Sequence, residues 1–332
     1  MESVKVYQIR ELQYNYDHLF LLKVKKLNIP KGKIIGIVGP NGSGKTTLLK
    51  ILAFLYEKSS GELIFDDKII KKEDMKQVRQ NVTMLMEEPY LLHRSVRNNI
   101  RYALNLVIKN NKSIDYEHYL SMLGLNSENH LLKNYNQLSR GESKRVAMLM
   151  HLIINREVLI LDEPTNNIDE RSKIYLENTL VKLRASGKTI IFSSHDIMFT
   201  LKHADTIHSL YNGSLYNDML LNIIEFNMGK IIANFHRIED KDKNSILKKQ
   251  FLSENKIVFN ANSVKYFLNN NCKGLVKATI ASVALYNNRC VLTIDIEGNI
   301  CYLYYNIDLI NKNVFLPGSD IFLSLKENVL NI

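Results

Sequence analysis

One octapeptide constrains this chain more than any other feature. Gly39, Pro40, Asn41, Gly42, Ser43, Gly44, Lys45 and Thr46 satisfy the spacing G-x-x-x-x-G-K-[ST] in full. An apolar run, residues 33–39 (KIIGIVG), precedes its core, and a helix-forming run begins at Thr47. Strand, glycine-rich loop and helix in that order form a phosphate cradle. The glycines let the backbone wrap closely, successive N–H groups point at the β-phosphate, and the helix N-terminus adds partial positive charge. Lys45 then reaches the β- and γ-phosphates, and Thr46 offers a hydroxyl to Mg²⁺. A glycine-rich turn arising by chance would lack the flanking strand and helix.

Two further runs, residues 158–164 (VLILDEP) and 189–195 (TIIFSSH), have the same β-branched character. Such runs suit strands buried on both faces of a parallel sheet. Residues 95–155, between the first run (33–39) and 158–164, carry helical spacing, so the first part of the chain reads as an α/β domain. Asp162 ends the second run, where a carboxylate on the Mg²⁺ side belongs, and Glu163 follows directly. Adjacent carboxylates on an extended segment point different ways, so one serves the metal while the other activates a water.

The pattern changes after about residue 215. Residues 236–256 are charged and read as a linker or exposed hairpin. From about 257 the chain alternates in short runs: GLVKATIASVALY, RCVLTIDI, ICYLYY and DIFLSLKENVLNI. Four or five short strands in so short a stretch predict a small β-barrel. The three cysteines, Cys272, Cys290 and Cys301, are odd in number and lack a paired spacing, which excludes a disulfide framework or zinc site. A hairpin turning at Gly298-Asn299 would set Cys301 opposite about Asp295. No run approaches the ~18 to 20 apolar residues of a spanning helix, and the first ten residues hold no apolar stretch, so a soluble intracellular chain is expected. The net charge of +10 admits nucleic acid, an anionic membrane surface or a small anion as partner, or an ordinary solvated lysine surface.

Taken together the motifs resemble the ATP-binding subunit of an ABC transporter. LSRGESKRVA (138–147) resembles the family's signature segment, LILDEPTNNID (159–169) its second acidic motif and D-loop, with Asp169 as the D-loop acid, and SSHD (193–196) its switch histidine motif. MLMEEPYLL (84–92) occupies the Q-loop position. Tyr16, 29 residues before Lys45, suits the aromatic residue that stacks on adenine. The match covers about residues 1–215, all in family order.

The resemblance implies an α/β P-loop NTPase domain with a helical subdomain at about 95–155, a linker region at 216–256, and a small all-β domain at 257–332. It implies a homodimer, with ATP held between Gly39–Thr47 of one subunit and Ser139, Arg140 and Gly141 of the other. Glu163 and His195 become the catalytic pair, and Thr46, Asp162 and Glu87 the Mg²⁺ side. Two positions depart from the family pattern. Arg140 stands where a glycine is usual, and either clamps phosphate or obstructs the dimer. Glu87 stands where a glutamine is usual, and a carboxylate still ligates Mg²⁺.

Residues 86–104 (MEEPYLLHRSVRNNIRYAL) also resemble the Q-loop region of molybdate- and tungstate-importer ATPases. Residues 263–332 resemble the OB-like oxyanion-binding domain that follows them, carried by SVK, GLVKATIASV, LTIDIEGN and LPGSDIFLSLKENVL. Ser263, Lys265 and Lys277 are its candidate oxyanion ligands. The implied function is ATP-driven import of tungstate or molybdate through separate permease subunits. The helical subdomain would dock on the permease, and a periplasmic or extracellular binding protein would deliver the ion. The chain would sit peripherally on the cytoplasmic face of the cell's inner membrane. Rival readings are an importer of sulfate, iron, polyamine or sugar, or a soluble ABC ATPase acting on nucleic acid or ribosomes. Ribosome-acting relatives usually carry two ATPase units, and one phosphate loop occurs here, so no nucleic-acid partner is expected.

Overall fold

The computed structural model describes residues 4–16, 20–106, 115–217, 221–225, 256–261, 264–268, 275–286, 289–296, 298–306 and 315–324. The chain divides into two compact units, Met1–Asp218 and Met219–Ile332.

The first unit runs β1 (Lys5–Tyr16), β2 (Phe20–Pro30), β3 (Ile34–Val38), α1 (Lys45–Leu52), β4 (Ser60–Phe65), β5 (Lys68–Ile69), α2 (Met75–Val78) and β6 (Val82–Leu85). It continues with α3 (Val96–Asn105), α4 (Tyr116–Met122), α5 (Ser127–His130), α6 (Arg140–Ile154), β7 (Val158–Leu161), α7 (Glu170–Ala185), β8 (Thr189–Ser194), α8 (Ile197–His203), β9 (Thr206–Tyr211) and β10 (Ser214–Tyr216). One sheet holds all ten strands, in the order β5-β4-β1-β2-β10-β9-β3-β8-β7-β6. The stretch β9-β3-β8-β7-β6 is parallel, whereas β1, β2, β4 and β5 pair antiparallel.

The physical cause is legible in the side chains. Every residue of β3, β7 and β8 is buried, as β-branched runs without alternation require of a sheet covered on both faces. Ile9, Leu12, Leu22, Ile35, Leu48, Leu52 and Ile191 meet in one core, so β1 and β2 join the same hydrophobic cluster as the parallel strands and α1. The order β3-β8-β7 makes three separated sequence motifs neighbours, because the loops that carry them leave the carboxyl ends of adjacent strands. Residues 95–155 supply α3, α4, α5 and α6.

The second unit holds β11 (Leu221–Glu225), β12 (Lys256–Asn260), β13 (Lys265–Phe267), β14 (Val276–Tyr286), β15 (Arg289–Ile296), β16 (Asn299–Asn306) and β17 (Asp320–Ser324). Residues 221–225, read from the sequence as part of a linker, form a strand paired antiparallel with β12. The rest form a five-stranded antiparallel sheet, β13-β17-β14-β15-β16. Its two edges approach through side chains: the rings of Tyr266 on β13 and Tyr305 on β16 lie 5.5 Å apart, and the Tyr305 hydroxyl donates to the Val264 carbonyl at 2.8 Å. The sheet therefore curls around a core of Ile280, Leu292, Ile294, Leu303, Ile321 and Leu323. Cys301 stands opposite Ile294 rather than Asp295, and Cys290 opposite Tyr305. The cause is the turn itself, which joins Ile296 to Asn299 directly across the ladder. Cys290 and Cys301 are buried, and burial pushes the Cys301 thiol up to about 12. Cys272 lies outside the described residues.

Candidate active site

The phosphate loop leaves β3 and enters α1 at Lys45. Its glycines are required by space as well as by conformation. A Cβ on Gly39 would fall 2.1 Å from the Leu210 carbonyl oxygen of β9, and Gly44 has φ of 105°. Pro40, Asn41 and Gly42 lie exposed on the loop, while Ser43 is buried with no hydrogen-bond partner for its hydroxyl. Thr46 and Thr47 follow on the first turn of α1, half-buried. The Lys45 ammonium, only 6% exposed, donates to the carbonyls of Gly39 at 2.8 Å and Pro40 at 3.3 Å. It also pairs with Glu163 Oε1 at 3.2 Å.

Glu163 follows β7 and has φ of 42°, so it is not on an extended segment as the sequence suggested. Asp162 directly follows the last residue of β7, and its Oδ1 accepts from the Ser193 hydroxyl at 2.6 Å. That same hydroxyl accepts from the Glu163 N–H at 2.9 Å. Ser193, at the end of β8, thus orients both acidic residues. Its place at the start of the SSHD run was the only signal of this role. The other oxygen of Glu163 accepts from the His195 N–H at 3.2 Å and lies 3.0 Å from His195 Nδ1. The His195 ring is 58% exposed while Glu163 is buried. Lys45, Asp162, Glu163 and His195, taken from three separate motifs, therefore meet at one place. A carboxylate held between an ammonium and an imidazole, beside a glycine-rich loop, is equipped to take a proton from water next to a bound phosphate.

Glu87 lies half-buried after β6, and its Oε1 accepts from Asn166 Nδ2 at 2.8 Å. Asp196 caps α8 by accepting from the Phe199 N–H and pairs with Lys173 of α7 at 2.7 Å. Burial opposes its charge, yet Lys173 and the Phe199 N–H hold its carboxyl below the usual range. Asp169 caps α7 in the same manner, accepting from the Ser172 N–H at 2.7 Å.

Thr46 and Asp162 offer a hydroxyl and a carboxylate oxygen, hard donors that suit Mg²⁺. Among the described residues no group of three or more His, Cys, Asp and Glu could hold a metal alone. That donor set fits an ion shared with substrate phosphates, as Mg²⁺ generally is.

Ser139 and Arg140 stand elsewhere, exposed at the start of α6. Ser139 caps the helix, its hydroxyl accepting from the Glu142 N–H at 3.1 Å, and the Glu142 carboxylate accepts in turn from the Ser139 N–H at 2.8 Å. Burial opposes the Glu142 charge, but that N–H, Lys133 and His130 bring its carboxyl down to about 2. Gly141 is packed near α7, where a Cβ would sit 3.0 Å from Ser172 Oγ. Tyr16 ends β1, and its side chain lies outside the described residues, as does Ser263. Lys265 and Lys277 are exposed on β13 and β14, with β17 between them. Lys277 pairs with Asp320 at 2.7 Å.

The ABC transporter family model matches residues 22–166. ABC transporter I family member 17 of Arabidopsis thaliana is 36% identical over 198 residues, 59% of this chain and 74% of that protein. This chain belongs to the ABC transporter ATP-binding family. The tungstate uptake ATP-binding protein TupC of Peptoclostridium acidaminophilum is 34% identical, over 62% of this chain and 94% of that protein. The lantibiotic transport ATP-binding protein SrtF of Streptococcus pyogenes is 31% identical, over 63% of this chain and 88% of that protein. The solved structure of CbiO1 from Clostridium perfringens, part of the ABC transporter complex CbiONQ, shares the fold. Its TM-score is 0.56 at 28% identity, covering 64% of this chain and 87% of that one. The protein is accordingly an ABC ATPase subunit with the P-loop NTPase fold of that family. No helix among its described residues is long and apolar enough to cross a membrane.

Proposed function

We propose that this ABC ATPase powers import of tungstate or molybdate through separate membrane permease subunits, working as a homodimer on the cytoplasmic side of the membrane. In this reading ATP lies on residues 39–47 of one subunit and against Ser139, Arg140 and Gly141 of the other, with Tyr16 on the adenine. Mg²⁺ is held by Thr46 and Asp162, with Glu87 nearby. When substrate phosphate draws Lys45 away from Glu163, one carboxylate oxygen becomes free to act as general base, while His195 meets the γ-phosphate.

The observation that carries the ATPase part is the meeting of Lys45, Asp162, Glu163 and His195 at the ends of β3, β7 and β8. The oxyanion part rests on the likeness to TupC along nearly all of that protein's length, together with the small antiparallel β unit read as OB-like. Delivery of the ion by a separate binding protein belongs to the same proposal. A relative named for lantibiotic transport lies at similar identity, so another solute is the competing reading. Calorimetry on the full chain with tungstate, molybdate and sulfate decides between them. Heat with the metal oxyanions, reduced by Lys265→Ala or Lys277→Ala, is expected. No heat with either metal oxyanion would remove the oxyanion reading and leave the ATPase standing.

A further inference from the structure

Lys144 is the one buried lysine of α6, 6% exposed, and no catalytic role above uses it. Burying an ammonium is costly unless it is hydrogen-bonded and offset by charge. Its Nζ donates to the Glu163 carbonyl at 2.8 Å and to the Asn166 carbonyl at 3.0 Å. Both acceptors belong to the turn after β7, which the Asn166 N–H closes by donating to the same Glu163 carbonyl at 3.1 Å. Asn166 is held again from the other side by Glu87. Burial pulls the Lys144 ammonium below its ordinary range, and the carboxylates of Glu87, Glu163 and Asp162 oppose that pull.

Glu163 needs such a hold. Its φ of 42° lies in the left-handed region, which a residue bearing a Cβ keeps only when its surroundings enforce it. Two side chains from other elements pin its backbone: Ser193 of β8 takes the N–H, and Lys144 of α6 gives to the C=O. The backbone conformation in turn sets where the carboxylate points, here toward Lys45 and His195.

We infer that Lys144 is a positioning residue for Glu163, a strut that fixes the backbone of the catalytic turn from the helix that Ser139 and Arg140 begin. The strut links α6 by one side chain to the main chain that carries the buried carboxylate, so a displacement of α6 reaches Glu163 directly. This inference rests on the reading of Glu163 as the general base.

The test uses the full-length protein with steady-state ATP hydrolysis and equilibrium binding of a fluorescent ATP analogue. Lys144→Met keeps the length and removes both donors. It is expected to lower kcat by about tenfold or more while nucleotide affinity stays within about twofold, the pattern of a lost transition-state interaction. Lys144→Arg, which retains charge and donors, is expected to recover most of that loss, and it also serves if the methionine variant does not fold. Adding Lys144→Met to Glu163→Gln is expected to lower kcat no further, because the strut acts only through that carboxylate. Parent-like turnover in Lys144→Met, parallel loss of affinity and turnover, failure of arginine to recover activity, or an additive loss in the double variant would each overturn the inference. Parent-like turnover in Glu163→Gln alone instead removes the base assignment, and the inference with it, and is read in a different variant.

Discussion

The two units bury very different things. In the first, Lys45, Lys144, Asp162 and Glu163 are all nearly inaccessible, and each meets a partner of opposite charge or a main-chain carbonyl or hydroxyl. Among the described residues of the second, the buried set is aliphatic and aromatic apart from the two thiols, and the charged groups Lys265, Lys277 and Asp320 stand on the surface. Buried charge is retained only where something compensates it, so it marks chemistry more sharply than sequence charge does. The first unit gathers its buried charged groups inside its fold. Among the described residues of the second unit, the cations open to an anion stand on the surface.

The largest effect expected from this contrast is at Glu163. Glu163→Gln should lower ATP turnover by roughly 100- to 10,000-fold while leaving ATP binding intact, the range for a lost general base. The variant should then accumulate as an ATP-bound dimer on sedimentation. Turnover at the parent rate would move suspicion to Glu87.

A buried titratable group of the first unit should also govern its acid stability. His151 of α6 meets the Thr83 hydroxyl of β6, and burial lowers its imidazole to about 4. The folded value lies below the unfolded one, so the unfolded chain takes the proton first. Stability should therefore fall as pH drops from about 6.5 to about 4 and change little from this source beyond, by about 3 kcal/mol in all. Urea unfolding at pH 7.5 and 4.5 should show a smaller difference in His151→Asn than in the parent. An equal difference would mean that other groups carry the acid response.

Arg140 tests the exposed side of the first unit. Acting as a clamp on phosphate of the opposite subunit, its change to Gly should weaken ATP-driven dimerisation by about tenfold, the low end for one charge-assisted contact. Tighter association in sedimentation would show that the side chain obstructs. The smallest effect belongs to the second unit: Lys277→Met removes an exposed ion pair and should move Tm by no more than about 2 °C. A larger drop in calorimetric Tm would erase the contrast between the units.

How much of this was legible beforehand varies with the range of the interaction. The phosphate loop, the strands β3, β7 and β8, and the four late strands could be read from local patterns, since burial on both faces and hairpin alternation leave marks in consecutive residues. The meeting of Lys45, Glu163 and His195 was expected from the resemblance to the ABC transporter family. Their partners were not: Ser193 bridging two acids, Lys144 spanning 19 positions to the Glu163 carbonyl, and the left-handed Glu163 backbone have no local signature. The extended reading of Asp162-Glu163 failed because a turn held by other elements overrides the preference of its own residues. The one-residue difference at Cys301 has a similar origin, as register follows turn geometry rather than the position of a glycine.

The sequence by itself determined that a phosphate-binding strand, loop and helix form here, and that acids and a histidine follow at the ends of two further buried strands. Those are consequences of residue type and spacing within a few neighbours. Only the tertiary structure decided which oxygen faces which nitrogen, and that α6 reaches the turn after β7 through the buried Lys144. Such contacts join residues far apart in the chain, and the sheet order β3-β8-β7 that brings them together is a property of packing, written in no single segment.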